Sequence, residues 1–331
     1  MGGRADVVAH AAWYPEIVWE ATASVDSLQP GQAAPRPEDW PGWTSGRLRT
    51  AGKLEAAGPS GWAALDSLWG EFRGHDLAGS GRADWPSPQD VTASCDLRWA
   101  TLQLTAKAEL ADSLRADIHI ACGDLNELVP GLAGRFEIEA AAGGTLQAPR
   151  LDVALRADGI AQDAPQAAVG QMRARFGLVV AQTAADSITV DDVAAEAEVR
   201  VLGATFDQVV LDSTTLRLEG TAAGHGLRLD VAGPQVRGLV VLAGQFDAGT
   251  AVWTGRLDSL LVVNELAGRW SLASPAALAA GAGLARVDSL RLVRGDAEFR
   301  LGAALADSQW TAAAEIVGLP LALANPALPP D

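Results

Sequence analysis

Side chains able to do chemistry are few in this sequence, and they are scattered. The four histidines, His10, His75, His119 and His225, lie far apart. None stands in an HExxH pair or beside a second metal ligand. His119 falls on the charged parity of its surroundings and reads as a solvated surface histidine. The sequence has no GxSxG nucleophile turn, no P-loop and no complete GxGxxG. "GSG" at Gly79–Gly81 and "GAG" at Gly281–Gly283 lack the third glycine and a strand-to-helix setting, so they read as turns. "VDDVAAEAE" (Val190–Glu198) is acidic but lacks the oxygen spacing and glycine of an EF-hand loop. Close carboxylate pairs carry little information among 41 acidic residues. No cluster of Asp, Arg or aromatic residues suggests a polysaccharide-cleaving face. The expectation is a protein with no catalytic residues, no metal ligands and no cofactor.

What the sequence does position, repeatedly, is one greasy and one charged face. In "GRFEIEAAAGGTLQAPRLDVALRADGI" (Gly134–Ile160), Phe136, Ile138 and Ala140 alternate with Arg135, Glu137 and Glu139. Leu151, Val153 and Leu155 then alternate with Asp152, Arg156 and Asp158 after a Gly-Gly turn and a proline. "TLQLTAKAEL" sets Leu102, Leu104 and Leu110 against Gln103, Lys107 and Glu109. "SLRADIHIACG" sets Leu114, Ile118 and Ile120 against Arg115, Asp117 and His119. "TTLRLEG", "HGLRLDVAG" and "AEFRLGA" continue the rule through Leu216 and Leu218, Leu227, Leu229 and Val231, and Phe299 and Leu301. Period two is the strand period. Gly, Asp-Ser or Gly-Pro punctuates the runs every 8–14 residues, the spacing of all-β chains. One helical turn is expected in "DLNELVPGL" (Asp124–Leu132), stopped by Pro130 and Gly131. "DAPQAAVGQMRARF" and "SPAALAAGAGLARV" are ambiguous between helix and strand. A loose echo, "WTSGRL" (Trp43–Leu48) and "WTGRL" (Trp253–Leu257), has no fixed repeat period.

Composition narrows the partners. The net charge of −16 disfavours a phosphate backbone, so no nucleic acid is expected. Aromatics are only 5% while apolar residues are 49%, which gives smooth, Ala-rich faces. Eight of the 11 tryptophans fall between Trp13 and Trp99, and they read as rim or edge packing. No apolar run reaches the roughly 18 residues of a membrane helix. The first residues lack the order of a signal peptide, which suggests a piece of a longer protein. Cys95 and Cys122 are expected as free thiols. They fall on strands separated by a third, so about 9–10 Å apart, beyond disulfide reach. Alternation alone leaves two architectures open: a β-sandwich with paired dry faces, or an elongated open sheet with one greasy face.

Four blocks in order carry a family resemblance. "LVPGLAGRFEIEAAAGGTLQAPRL" resembles the P-x-L-x-G and G-T-L-x-x-P-x-L strands of the TamB family, through Pro130, Leu132, Gly134, Gly144, Thr145, Leu146, Pro149 and Leu151. "GTAAGHGLRLDVAG" (Gly220–Gly233) resembles its G-T-x-x-x-H-x-L-x-L segment, with His225 in place. "WTGRLDSLLVVNELAGRWSLASPAAL" (Trp253–Leu278) and "LPLALANPALPP" (Leu319–Pro330) resemble two further segments. A Cys-Leu pair associated with the family is absent from "RVDSLRLVRGDAEFRLGA".

The resemblance implies an all-β fold, an elongated antiparallel meander sheet folded into an open U-shaped groove (a β-taco) with few short helices. It implies a periplasmic protein anchored to the inner membrane by a segment not present in this sequence. Its expected partners are phospholipid, carried in the groove, and a TamA-like outer-membrane protein met through regions absent here. The groove lining is then expected on the greasy parity, at Leu102, Leu104, Leu114, Ile118, Ile120, Phe136, Ile138, Leu151, Val153, Leu155, Leu216, Leu218, Leu227, Leu229, Val231, Phe299 and Leu301. Residues 46–331 are expected as one continuous β-taco segment, and the Pro- and Trp-rich residues 1–45 as an excursion or incomplete strands. The competing reading is a structural or adhesive β-sandwich array of a surface or periplasmic protein.

Overall fold

The computed structural model describes residues 3–13, 16–29, 41–162, 166–181, 192–265, 267–306 and 309–318. The described residues form one antiparallel sheet of 21 strands. Its first strands are β1 (Arg4–Ala12), β2 (Ile17–Leu28), β3 (Gly42–Glu55), β4 (Gly58–Phe72) and β5 (His75–Trp85). They continue as β6 (Val91–Trp99), β7 (Leu102–Leu110), β8 (Leu114–Cys122), β9 (Leu132–Thr145) and β10 (Ala148–Gln162). β11 (Ala167–Val180), β12 (Val193–Phe206), β13 (Val209–Thr221), β14 (Gly224–Ala232), β15 (Val236–Asp247) and β16 (Val252–Asn264) follow. The last are β17 (Gly268–Leu272), β18 (Ala276–Gly281), β19 (Leu284–Arg294), β20 (Ala297–Ala306) and β21 (Gln309–Val317). Strands pair with their sequence neighbours, except that β17 and β18 both lie between β16 and β19, and no crossover is needed. The all-β meander implied by the resemblance is what forms.

The one α-helix among the described residues is α1 (Leu125–Leu128), between β8 and β9. Asp124 caps it by accepting from the Asn126 backbone N–H, and Leu125 is buried beneath it. "DAPQAAVGQMRARF", ambiguous in sequence, enters β11 from Ala167 onward. "SPAALAAGAGLARV" supplies β18 and the start of β19. Residues 1–45 hold β1, β2 and the start of β3, and the proline-rich residues 30–40 lie outside the described residues. The segment Leu319–Pro330 also lies outside them.

The chain divides into two units, Met1–Ala157 and Asp158–Asp331. In the first, the ladders from β5 to β9 run without a shift of register. Leu97 opposes Leu104, Leu104 opposes Ile120, and Ile120 opposes Ile138. Direct opposition keeps side chains on one face. Cys95 opposes Ala106, whereas Cys122 opposes Leu102, and both thiols are free.

Asp-Ser steps, which the sequence suggests as turns, do something different at four places. Register shifts fall at Val25/Leu28, Leu65/Leu68 and Val287/Leu290, each bracketing an Asp-Ser, and at Val241/Leu242, opposite the Asp258 of a fourth. These are β-bulges. One extra residue lets apolar residues three apart share a face, where plain alternation would put them on opposite faces. Ser27 and Ser289 take positive φ there. In the second unit Pro275 also matters. It follows β17 and precedes β18, and these two short strands share the same neighbours, β16 and β19. Proline cannot donate to a ladder, so one long strand becomes two.

Candidate functional site

Following the registers strand by strand gives continuous apolar rows. In the first unit one row is Leu97, Leu104, Ile120 and Ile138, and the next is Trp99, Leu102, Cys122 and Phe136. Ile118 lies between Ala106 and Ala140, and Leu114 between Leu110 and Gly144. Leu151, Val153 and Leu155 stand on β10, which pairs with β9. In the second unit Val199, Leu216, Leu229, Val240 and Leu260 form one row. Ala197, Leu218, Leu227, Leu242 and Leu257 form its neighbour. Val231 sits between Thr214 and Gly238. Further along, Phe299 faces Leu292 and Ile316, and Leu301 faces Leu290 and Ala314. All the residues expected on the greasy parity are thus on strands.

Their burial sets them apart from a core. Ile118 is 39% exposed, and the other sixteen are half-buried. Among the described apolar residues only Ala64, Cys122, Leu125, Ala157, Leu257, Ala276 and Ala297 are buried. A two-layer sandwich seals its inward positions. The chain exposes 20973 Å², against about 13,000 Å² for a compact monomer of this length. The apolar side chains of these rows are thus covered only in part.

Two tryptophans lie flat on this face. Trp253 covers Gly244 and Gly255, and a Cβ at either glycine would sit 2.4–2.5 Å from the indole. Trp19 covers Gly52 in the same way, at 2.3 Å. The Trp253 N–H donates to Nε2 of His225 at 2.6 Å. His225 Nδ1 lies 3.0 Å from the Thr221 carbonyl, so the ring is the Nδ1–H tautomer, donating to Thr221 and accepting from Trp253. His225 is thus a strut for an indole, and its partner sits 28 residues away across β15.

The opposite face is ionic, and most of its pairs close within a strand, between residues two apart. Arg82–Asp84, Arg150–Asp152, Arg228–Asp230 and Arg286–Asp288 are of this kind, at 2.5–2.8 Å. Each arginine holds its carboxylate below the usual range where a shift is resolved, as at Asp84, Asp152 and Asp230. Glu298 is the extreme. Hydrogen bonds from Arg291 and Arg300 lower it to about 2. Trp62 also belongs to this face, with the guanidinium groups of Arg49 and Arg82 at 5.7 and 5.3 Å from its ring. Two hollows of about 400 Å³ lie here and share Arg82, Ser94 and Lys107. They are gaps between long charged side chains over a floor that includes Ala106 and Ala108, and not an apolar pocket.

One grouping on the charged face is missed by sequence reasoning. His119 and Glu139 are direct partners across β8 and β9, with Glu137 on the diagonal. His119 Nε2 lies 2.9 Å from Glu137 Oε1, and the ligand atoms of all three lie within 4.8 Å of one another. They are 18 and 20 residues apart, so only the strand register could have revealed them.

The fold and its faces define a class: a single-layer antiparallel β protein that keeps an apolar face half open and armours the other with ion pairs. No solved structure matches this chain. The model of the family "TamB, N-terminal domain" matches residues 1–330, and the chain belongs to that family. No helix among the described residues is long and apolar enough to cross a membrane.

Proposed function

We propose that this chain is a segment of a longer periplasmic protein that shields phospholipid acyl chains along its half-open apolar face, carrying lipid from the inner to the outer membrane. Its anchor in the inner membrane would lie in a segment outside this sequence, and a TamA-like outer-membrane protein would be its partner in outer-membrane protein assembly. Membership of the TamB family supports a transport or assembly role over an enzymatic one. The groove lining is the set from Leu102 to Leu301 named above.

The carrying observation is the row structure with half-burial. Leu216 and Leu229, like Leu104 and Ile120, have apolar neighbours on adjacent strands and are only half-buried. Each CH₂ kept from water is worth about 0.8 kcal/mol, so a long acyl chain gains on the order of 10 kcal/mol. Because the rows contain no charged side chain at the named positions, a headgroup finds no anchor there and stays in water. Trp19 and Trp253 are pressed onto glycines, which keeps these two rings low along the face. Binding of this kind is multi-site and permits sliding. The same half-burial disfavours the sandwich array, whose faces would cover each other.

Native mass spectrometry of the purified chain, with lipid extraction from the same sample, tests the proposal. Co-purifying phospholipid that is lost in Ile118→Asp and Val153→Asp supports it. A lipid-free protein that takes up no added phospholipid contradicts it.

A further inference from the structure

The charged face follows a rule, and Glu139 departs from it. Carboxylates on this face commonly have an arginine two residues along their own strand, as in Arg82–Asp84, Arg115–Asp117 and Arg150–Asp152. β9 instead reads Glu137-Ile-Glu139. The residues two away from Glu139 on its strand are Glu137 and Ala141, so two carboxylates stand side by side, with Arg135 two residues before Glu137. Opposite them stands an imidazole, His119.

We propose that His119, Glu137 and Glu139 form a divalent metal site, with zinc as the ion that fits best. Three donor atoms within 4.8 Å of one another need only small side-chain rotations to close. A tetrahedral ion with bonds of about 2.0–2.1 Å wants its ligands roughly 3.4 Å apart. His119 and Glu137 are already nearer than that, at 2.9 Å. Register fixes the three Cα positions on a two-strand ladder, so the site does not depend on a loop. The mixed set of one nitrogen and two carboxylates suits zinc over calcium or magnesium, which prefer oxygen alone. Side chains of His119 and Glu137 are 43% and 41% exposed, leaving the fourth position open to water. Bound there, the ion neutralises the two glutamates and ties β8 to β9 from the side opposite Ile120 and Ile138. The other histidine whose contacts are described, His225, has both ring nitrogens engaged and offers no competing ligand.

Isothermal titration of the metal-free chain with zinc chloride tests this, with thermal unfolding in parallel. The expected result is one zinc per chain, a raised unfolding temperature, and affinity weaker by roughly tenfold or more in both His119→Ala and Glu139→Gln. His10→Ala should bind as the parent does. Both substitutions lie on an exposed face, and circular dichroism verifies that each variant is folded. Equal zinc binding by parent and both variants, absence of zinc binding by the parent, or preference for calcium would each overturn the site. Lipid binding is a separate readout on the other face.

Discussion

The block β6–β9 and the block β15–β20 reach the same result by different means. In β6–β9 every ladder keeps its register, and plain alternation carries Leu104, Ile120 and Ile138 to one face. In β15–β20 alternation fails at Asp258-Ser259 and Asp288-Ser289, and Pro275 interrupts a strand. Bulges there return Leu260 and Leu290 to the apolar face. An apolar face can thus be kept continuous either by perfect period two or by spending one extra residue to reset it.

The sharpest break of this comparison is a one-residue deletion in each block. Deleting Thr105, in mid-β7, moves half of that strand to the wrong face with no bulge to absorb the change. The expected outcome is loss of cooperative unfolding by circular dichroism. Deleting Asp258 removes the extra residue of its bulge and leaves Leu257, Leu260 and Val262 on the apolar face in plain alternation. It forfeits the exposed Arg256–Asp258 pair, worth about 0–1 kcal/mol. A folded chain with a nearly unchanged melt is expected. Equal damage from the two deletions would refute the bulge reading.

Next in size is charge on the apolar rows. Ile120→Asp should destabilise by about 2–3 kcal/mol in urea unfolding. Thr105→Asp, on the facing parity, should stay within roughly 0.5 kcal/mol. Smaller again is Gly255→Val. Its side chain would enter the indole of Trp253, costing about 1–3 kcal/mol. The fluorescence of that tryptophan should shift and the His225 hydrogen bond should be lost. The smallest effect concerns Glu298 in the bulged block. Its carboxylate is lowered to about 2 by Arg291 and Arg300, whereas an unfolded glutamate titrates near 4.3. The β19–β20 clip therefore contributes fully above about pH 4.3 and is lost as pH falls toward 2. Carbon-detected titration of the Glu298 carboxyl should give a midpoint of about 2, and a midpoint of about 4.3 would contradict the pairing.

Much of this was legible beforehand, and the reasons differ by residue. Leu102 to Ile138 could be assigned to one face because their strands hold strict period two. Free thiols at Cys95 and Cys122 followed from strand order. The bulges were not legible, since Asp-Ser before a leucine looks like any polar turn until the ladder shows the chain going straight on. The pairing of His119 with Glu137 and Glu139 was hidden because α1 and its flanks separate β8 from β9, and cross-strand register cannot be counted through an irregular connection. His225 drew notice as part of a motif, yet its role as a prop for Trp253 needed the geometry of β14 to β16.

The most direct measurement is site-specific photo-crosslinking in cells, with benzoylphenylalanine placed in turn at Ile120 and at Lys107, on the opposite face of the adjacent strand. Phospholipid adducts at Ile120 and none at Lys107 are the predicted result. Adducts at both positions alike, or at neither, would contradict an apolar face that carries lipid.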